Sequence, residues 1–214
     1  MKFDYIVWDW NGTIVNDAWV FVDVMNFFLK KKGLPQTSIN HYKKNFCFPI
    51  QDYWKTLGFK FNNKEFSLLN KQFIEEYQKQ IFLPKLHPGI VSLIKKINKF
   101  RTKQFILSAS ENSLLHRAVG FYKINYLFED VLGVDNLNAV GKIPLAKALC
   151  KRNNISLKKT LVIGDTKYDL DVAQGLGCMA LLVSHGHIEH KRLLDLKVPL
   201  VRSVKEIENF LFAT

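Results

Sequence analysis

Phe3-Asp4-Tyr5-Ile6-Val7-Trp8-Asp9-Trp10-Asn11-Gly12-Thr13 is the stretch whose reading decides the fold. Its first six residues are apolar and β-favouring with one polar break, the composition of a buried strand. The run stops at Asp9, and Gly12 then permits a sharp turn. A carboxylate at the carboxyl end of a buried strand, over a tight polar loop, stands where open α/β sheets place their chemistry.

Working outward, further strands are expected at Phe105 to Ser108, Thr160 to Gly164 and Met179 to Val183, with an edge strand at Leu200-Val201. Residues 125 to 135 read as a turn or short helix followed by an extended piece ending near Asp135. Helices are expected from Pro88 to Asn98, from Glu111 to Val119 with Gly120 as the stop, and from Ile143 to Arg152. Three more follow at 169–176, 189–196 and 204–212. Strands alternating with helices make a parallel sheet covered on both faces. One region breaks the alternation. Asn16 or Asp17 can cap a helix running to about Lys32, which Gly33-Leu34-Pro35 ends. Residues 37 to 82 read as helical segments with a break at Asn62-Asn63. The clearest segment, 67–81, carries Leu69, Phe73 and Tyr77 at spacing four. Leu83 to Gly89 reads as a return hinge, with Pro88 in the first helical turn. The expected division is a core of residues 1–15 and 85–214 and a helical cap of residues 16–84.

The polar residues at the strand ends carry a resemblance. Asp9-Trp10-Asn11-Gly12-Thr13, then Ser108 at a strand end, Lys142 before a helix, and Gly164-Asp165-Thr166-Lys167-Tyr168-Asp169 after another strand are similar, in order, to the four motifs of the haloacid dehalogenase-like hydrolases. Most members of that family are phosphatases. The chain most resembles the phosphoglycolate phosphatase-like branch, whose helical cap follows the first motif. The resemblance implies a Rossmann-like α/β core with an inserted all-helical cap. It implies Asp9 as a nucleophile that forms an aspartyl phosphate. It implies Mg²⁺ held by Asp9, the backbone carbonyl of Asn11 and Asp165, with Asp169 as a further ligand or a support. Carboxylate oxygens crowded at one place suit that ion on their own account. Lys142 would neutralise phosphate oxygens and steady Asp9. Ser108 and Ala109, with Gly12 and Thr13, would bind the phosphoryl group.

One position departs from the pattern. Family phosphatases usually carry an aspartate two residues after the nucleophile, as general acid and base, and this chain has Asn11. An amide neither gives nor takes a proton at neutral pH, and such help is typically worth about 10²–10⁴-fold in rate. Three outcomes stay open: substrates with good leaving groups, such as acyl or aryl phosphates; a proton from another group of the cap or core; or a slow enzyme whose main role is binding. The leading expectation is Mg²⁺-dependent hydrolysis of a small phosphate ester or acyl phosphate. The rival is a weakly active or inactive phosphate-binding or interaction protein on the same fold.

Composition bounds the rest. The formal net charge is +12, but the lysines are spread along the chain, so a basic surface that favours anionic substrates is expected rather than a nucleic-acid module. Cys47, Cys150 and Cys178 are too few and too scattered for a disulfide framework or a CxxC site, and Cys178 reads as a buried small residue. No apolar run reaches membrane-spanning length, and the first strand begins almost at the N-terminus, so a cytoplasmic location is expected. A monomer or homodimer is expected, with no nucleic-acid or membrane partner. Trp10, Asn16, Asp17 and Trp54 are candidate pocket-lining residues. His185, His187 and His190 fit no zinc spacing and read as a loop near the pocket mouth. Asp171 reads as a helix-surface residue.

Overall fold

The computed structural model describes residues 2–134 and 141–213. In chain order the elements are β1 (Tyr5–Trp8), β2 (Val15–Asn16), α1 (Ala18–Lys31), α2 (Ile39–Asn45), α3 (Ile50–Thr56), α4 (Asn63–Gln78), β3 (Lys85–Leu86), α5 (Ile90–Asn98) and β4 (Lys103–Glu111). Then follow α6 (Asn112–Phe121), β5 (Asp130–Val134), α7 (Lys142–Arg152), β6 (Thr160–Gly164), α8 (Lys167–Leu176), β7 (Met179–Val183), α9 (His190–Leu194), β8 (Leu200–Val201) and α10 (Val204–Phe212).

Six strands form one parallel sheet in the order β5-β4-β1-β6-β7-β8. β1 lies at its middle because both of its faces are apolar. Ile6 and Trp8 enter one buried cluster with Ile90, Ile94 and Ile207, while Val7 enters the opposite cluster with Phe105, Leu149 and Val162. That two-residue alternation between two covered faces is what a parallel sheet requires. The ladder runs one residue past the strand, where the Asp9 N–H donates to the Ile163 carbonyl at 2.8 Å. Asp9 is therefore held at the carboxyl edge by the sheet itself.

α1 to α4 lie between β2 and β3, with no strand among them. They pack around Tyr42, Tyr53, Trp54, Phe28 and Phe73, and Leu114, Leu182, Ile188 and Leu193 join the same cluster from the α/β part. The helices thus share apolar surface with the sheet's carboxyl edge. The Asn62-Asn63 break is a helix start: the Asn62 side chain accepts from the N–H groups of Lys64 and Glu65, and the Glu65 carboxylate in turn accepts from the Asn62 N–H. This reciprocal arrangement satisfies N–H groups otherwise left bare at a helix end.

Several boundaries differ from the sequence reading. β2 and β3 form an antiparallel ribbon, Val15 opposite Leu86 and Asn16 opposite Lys85, that joins the two ends of the helical stretch. Two residues are too few to show periodicity. α5 begins after Gly89, whose φ of 82° only glycine adopts freely, so Pro88 precedes the helix. Gly120 does not end α6. The buried face of Leu114, Leu115, Ala118 and Val119 outweighs its cost of about 1 kcal/mol, and the chain turns out of the helix at Lys123, with φ 55°. β4 continues past Ser108 to Glu111 through a register irregularity against β5, and bulges of this kind re-aim side chains. The expected extended piece is β5, ending at Val134; Asp135 lies outside the described residues. No helix among the described residues is long and apolar enough to cross a membrane.

Candidate active site

Four neighbouring strands deliver the site. β4 supplies Ser108 to Ser110, β1 is followed by Asp9 and Asn11, β6 by Asp165, and β7 by His185 and His187. α7 contributes Lys142 and α8 contributes Asp169. Carboxylate oxygens of Asp9, Asp165 and Asp169 lie within 4.8 Å of one another, and all three residues are buried. The Lys142 Nζ, also buried, donates to Asp9 Oδ1 at 2.6 Å and to Asp169 Oδ1 at 2.5 Å. Asp169 works with both oxygens. Its Oδ2 accepts from the N–H and hydroxyl of Thr166 and closes the first turn of α8, while Oδ1 faces the lysine.

The one ammonium serves two of the three carboxylates, and Asp165 accepts instead from the His187 N–H and the Thr13 hydroxyl. Burial, then the charge of Asp169, raise Asp9 well above the usual carboxylate range despite Lys142. Burial pushes Asp165 up to about 6, although His187 pulls it down. Burial alone would lower Lys142, but Asp169 and Asp9 outweigh it and raise its pKa. The cluster has more negative charge than its protein partners neutralise.

Gly12 makes this closeness possible. Its φ is 74°, and a Cβ there would strike the His187 ring and the Asp165 carboxylate. Gly164 is needed for a different reason, since a Cβ on it would overlap Asp169.

Asn11 is fully engaged. Its Nδ2 donates to Asp17 Oδ2 at 2.5 Å and lies 2.8 Å from the Tyr77 hydroxyl, while its Oδ1 accepts from the Ser110 hydroxyl at 2.7 Å. Asp17 stands at the start of α1 but makes no side-chain cap there. It turns inward, wholly buried, and accepts from the Gly12 N–H, the Tyr77 hydroxyl and Asn11, with His187 Nε2 at 3.2 Å. Burial would raise Asp17, yet the His187 hydrogen bond and charge, with Asn11 and Tyr77, hold it below its ordinary value. Burial would lower His187, but Asp17 outweighs it and raises the ring's pKa. The other nitrogen of His187 meets the Tyr42 hydroxyl at 2.7 Å, and its backbone N–H donates to Asp165 Oδ2 at 2.6 Å. Asp17 and His187 therefore tie α2 and α4 to the sheet edge through Tyr42 and Tyr77.

The remaining candidates fall into place as follows. Ser108 is buried, and its hydroxyl accepts from the Ser110 N–H at 3.0 Å, while Ala109 and Ser110 reach the pocket wall. Gly12 and Thr13 lie behind the wall, the Gly12 N–H facing Val15 and Asp17, and the Thr13 hydroxyl 3.3 Å from Asp165 and 3.4 Å from Asp9. Trp54 is not a lining residue; it packs edge-on against Phe28, Phe59 and Phe73. Trp10 is buried against Tyr122, and Asn16 is exposed. Cys178 is half-buried rather than buried. Asp171 pairs with Lys167 on the surface of α8. Of the three histidines, His187 enters the site, His185 stacks on His87 with ring centres 3.8 Å apart, and His190 bonds Ser184. The sequence reading missed Tyr42, Tyr77 and Tyr168. Tyr168 lines the pocket, accepts from the Lys142 N–H at 2.7 Å and packs on Phe48 from the helical stretch.

An open α/β core thus carries, at the carboxyl edge of its six-stranded parallel sheet, an aspartate triad and one lysine. The family model described as "Haloacid dehalogenase-like hydrolase" matches residues 6–183, and the chain belongs to that family. A solved haloacid dehalogenase-like family hydrolase of Streptococcus pneumoniae is 19% identical, with a TM-score of 0.82 over 100% of this chain and 99% of that one. A solved protein of Clostridium acetobutylicum described as a predicted phosphatase is 16% identical, with a TM-score of 0.83 over the whole of both chains. The phosphoglycolate phosphatase of Aliivibrio fischeri is 19% identical over 114 residues, 53% of this chain and 50% of that relative. The chain thus matches half the length of that curated relative.

Proposed function

We propose that this protein is a Mg²⁺-dependent phosphatase acting on small phosphate monoesters or acyl phosphates. The observation that carries the reading is the buried triad of Asp9, Asp165 and Asp169 around a single lysine. Hard carboxylate oxygens and uncompensated negative charge are what a small divalent cation requires. Asp9, Asp165 and the Asn11 carbonyl would hold the ion and Asp169 would support it, and the bound ion would lend positive charge to the transferring phosphoryl group.

The chain's own residues do the rest. A carboxylate oxygen of Asp9 attacks phosphorus, the Asp9–phosphorus bond forms, and the bond from phosphorus to the leaving oxygen breaks; the leaving group departs as a carboxylate from an acyl phosphate, or takes its proton from water when it is an alcohol. Lys142 favours the ionised form of Asp9 and holds it in place, and Tyr168 fixes Lys142 through its backbone. Ala109 and Ser110 face the phosphoryl oxygens. Water then cleaves the aspartyl phosphate to regenerate Asp9 and release phosphate. Asn11 positions and does not transfer a proton. Residues 16–84 act as the cap that closes the pocket and excludes water. We place this activity in the cytoplasm, on a monomer or homodimer.

The test is hydrolysis of acetyl phosphate, which needs no acid for its leaving group, with Mg²⁺ and with EDTA. Phosphate release that depends on Mg²⁺ and is lost in Asp9→Asn is expected. No release under either condition would remove the enzymatic reading and leave the binding-protein rival.

A further inference from the structure

Beside the carboxylate triad lies a cavity of about 290 Å³. This is near the small end of ligand pockets and is the space of a phosphoryl group plus one ring-sized substituent. Its far wall is apolar: Phe21, Phe46, Phe48, Ile50, Phe73 and Ile74, drawn from α1, α3, α4 and the segment before α3. Tyr77 also reaches this wall, but its hydroxyl is spent on Asp17. Asn70 adds one neutral polar side chain.

The charge pattern is the informative part. The chain carries a net charge of +12, yet among the described residues Lys142 is the only lysine or arginine on the cavity wall, and residues 135–140 contain neither residue type. That lysine already serves two carboxylates. His187 is opposed by Asp17. Glu111 stands on the wall as well. A substrate with a second anionic group would bury it against aromatic rings and a glutamate, with no cation to meet it, and such a group is strongly penalised. An uncharged apolar substituent would instead displace water from apolar surface.

We infer that the substrate is a phosphate ester or acyl phosphate whose remaining portion is uncharged and apolar, of about the size of a benzyl group, and that carboxylate-bearing esters such as phosphoglycolate are discriminated against. The inference rests on the phosphatase reading for the placement of the phosphoryl group. A 19% likeness to a phosphoglycolate phosphatase over half of the chain does not carry that substrate here, and the wall chemistry points elsewhere.

The test separates binding from turnover. Two non-hydrolysable phosphonates, 2-phenylethylphosphonate and 3-phosphonopropionate, mimic benzyl phosphate and phosphoglycolate respectively. Both are titrated calorimetrically into the full-length protein with Mg²⁺. The phenyl compound is expected to bind at least about 30-fold more tightly. Equal binding, tighter binding of the carboxylate compound, or binding of neither would overturn the inference. Ile74→Lys, on the half-buried side of α4, is expected to narrow or reverse the ratio by supplying the absent cation; an unchanged ratio would also count against it. Failure of acetyl phosphate hydrolysis alongside a retained phenyl preference would refute the catalytic reading and leave the pocket chemistry standing.

Discussion

Asn11→Asp restores the residue that family phosphatases usually carry, and the structure makes it a costly change. Asn11 Nδ2 lies 2.5 Å from the buried Asp17 carboxylate. Two like charges at that separation, at an effective dielectric of about 20, repel by about 7 kcal/mol. Protonating one of them at about pH 7.5 limits the loss to about 5 kcal/mol. We expect Asn11→Asp to lose about 3–5 kcal/mol of stability in urea denaturation with EDTA present, a large share of a typical domain's total. The compensating change is Asp17→Asn. In the double variant the amide introduced at position 17 donates to the carboxylate introduced at position 11. Its oxygen can still accept from the Gly12 N–H and face His187, so one carboxylate is again shared among the same partners. Most of the loss should return, giving a coupling energy of at least about 2 kcal/mol in the double-mutant cycle. The double variant should also hydrolyse alkyl phosphates about 10²–10⁴-fold faster than the parent, because the acid has moved to position 11. A single variant within about 0.5 kcal/mol of the parent, or a double variant no more stable than the single, would refute the reasoning.

Asp165→Asn should stabilise the metal-free protein by about 1–3 kcal/mol at pH 7.5, because a carboxyl pushed from 3.8 up to about 6 is costly to keep ionised in the fold. The same variant should abolish the rise in melting temperature produced by Mg²⁺, and a destabilised apo variant would sink the argument. Lys142→Met leaves the buried triad without its ammonium and should cost about 3–5 kcal/mol in urea denaturation, along with phosphate release; an unchanged midpoint would contradict it. His87, 7% exposed, is held down to about 3 by burial and then by His185. The unfolded chain therefore binds the extra proton between about pH 6.5 and 3, so this contribution is present above 6.5 and lost as pH falls. His87→Gln should lose about 2 kcal/mol less than the parent between pH 6.5 and 5, and equal losses in paired urea titrations would refute it.

What could be read from the sequence was what short spacing carries. β6, β7 and α10 were legible to the residue because dense apolar runs end at sharp polar or turn-forming positions. Asp9, Lys142, Asp165 and Asp169 were legible because each follows a strand or opens a helix, and the parallel sheet brings those points to one edge. Asp17 was misread for a physical reason. An aspartate before a helix normally caps it, and nothing local reveals that Tyr77, 60 residues on, and His187 compete for the same carboxylate. Tyr77 itself sat at spacing four with Leu69 and Phe73, the pattern of a core face, which describes its ring and conceals its hydroxyl. The signal for His187 was available: the loop after β7 must open at the same edge as the loops after β1 and β6. The consequence bears on Asn11. Taken alone, that residue looks like a lost acid. With Asp17 beside it, the loop retains one carboxylate but holds it further along the chain, wholly buried and bonded to the helical layer. On the proposed reading, the carboxylate of this loop serves to bond the helical layer to the sheet edge rather than to transfer a proton, in keeping with the proposed apolar group receiving little acid assistance.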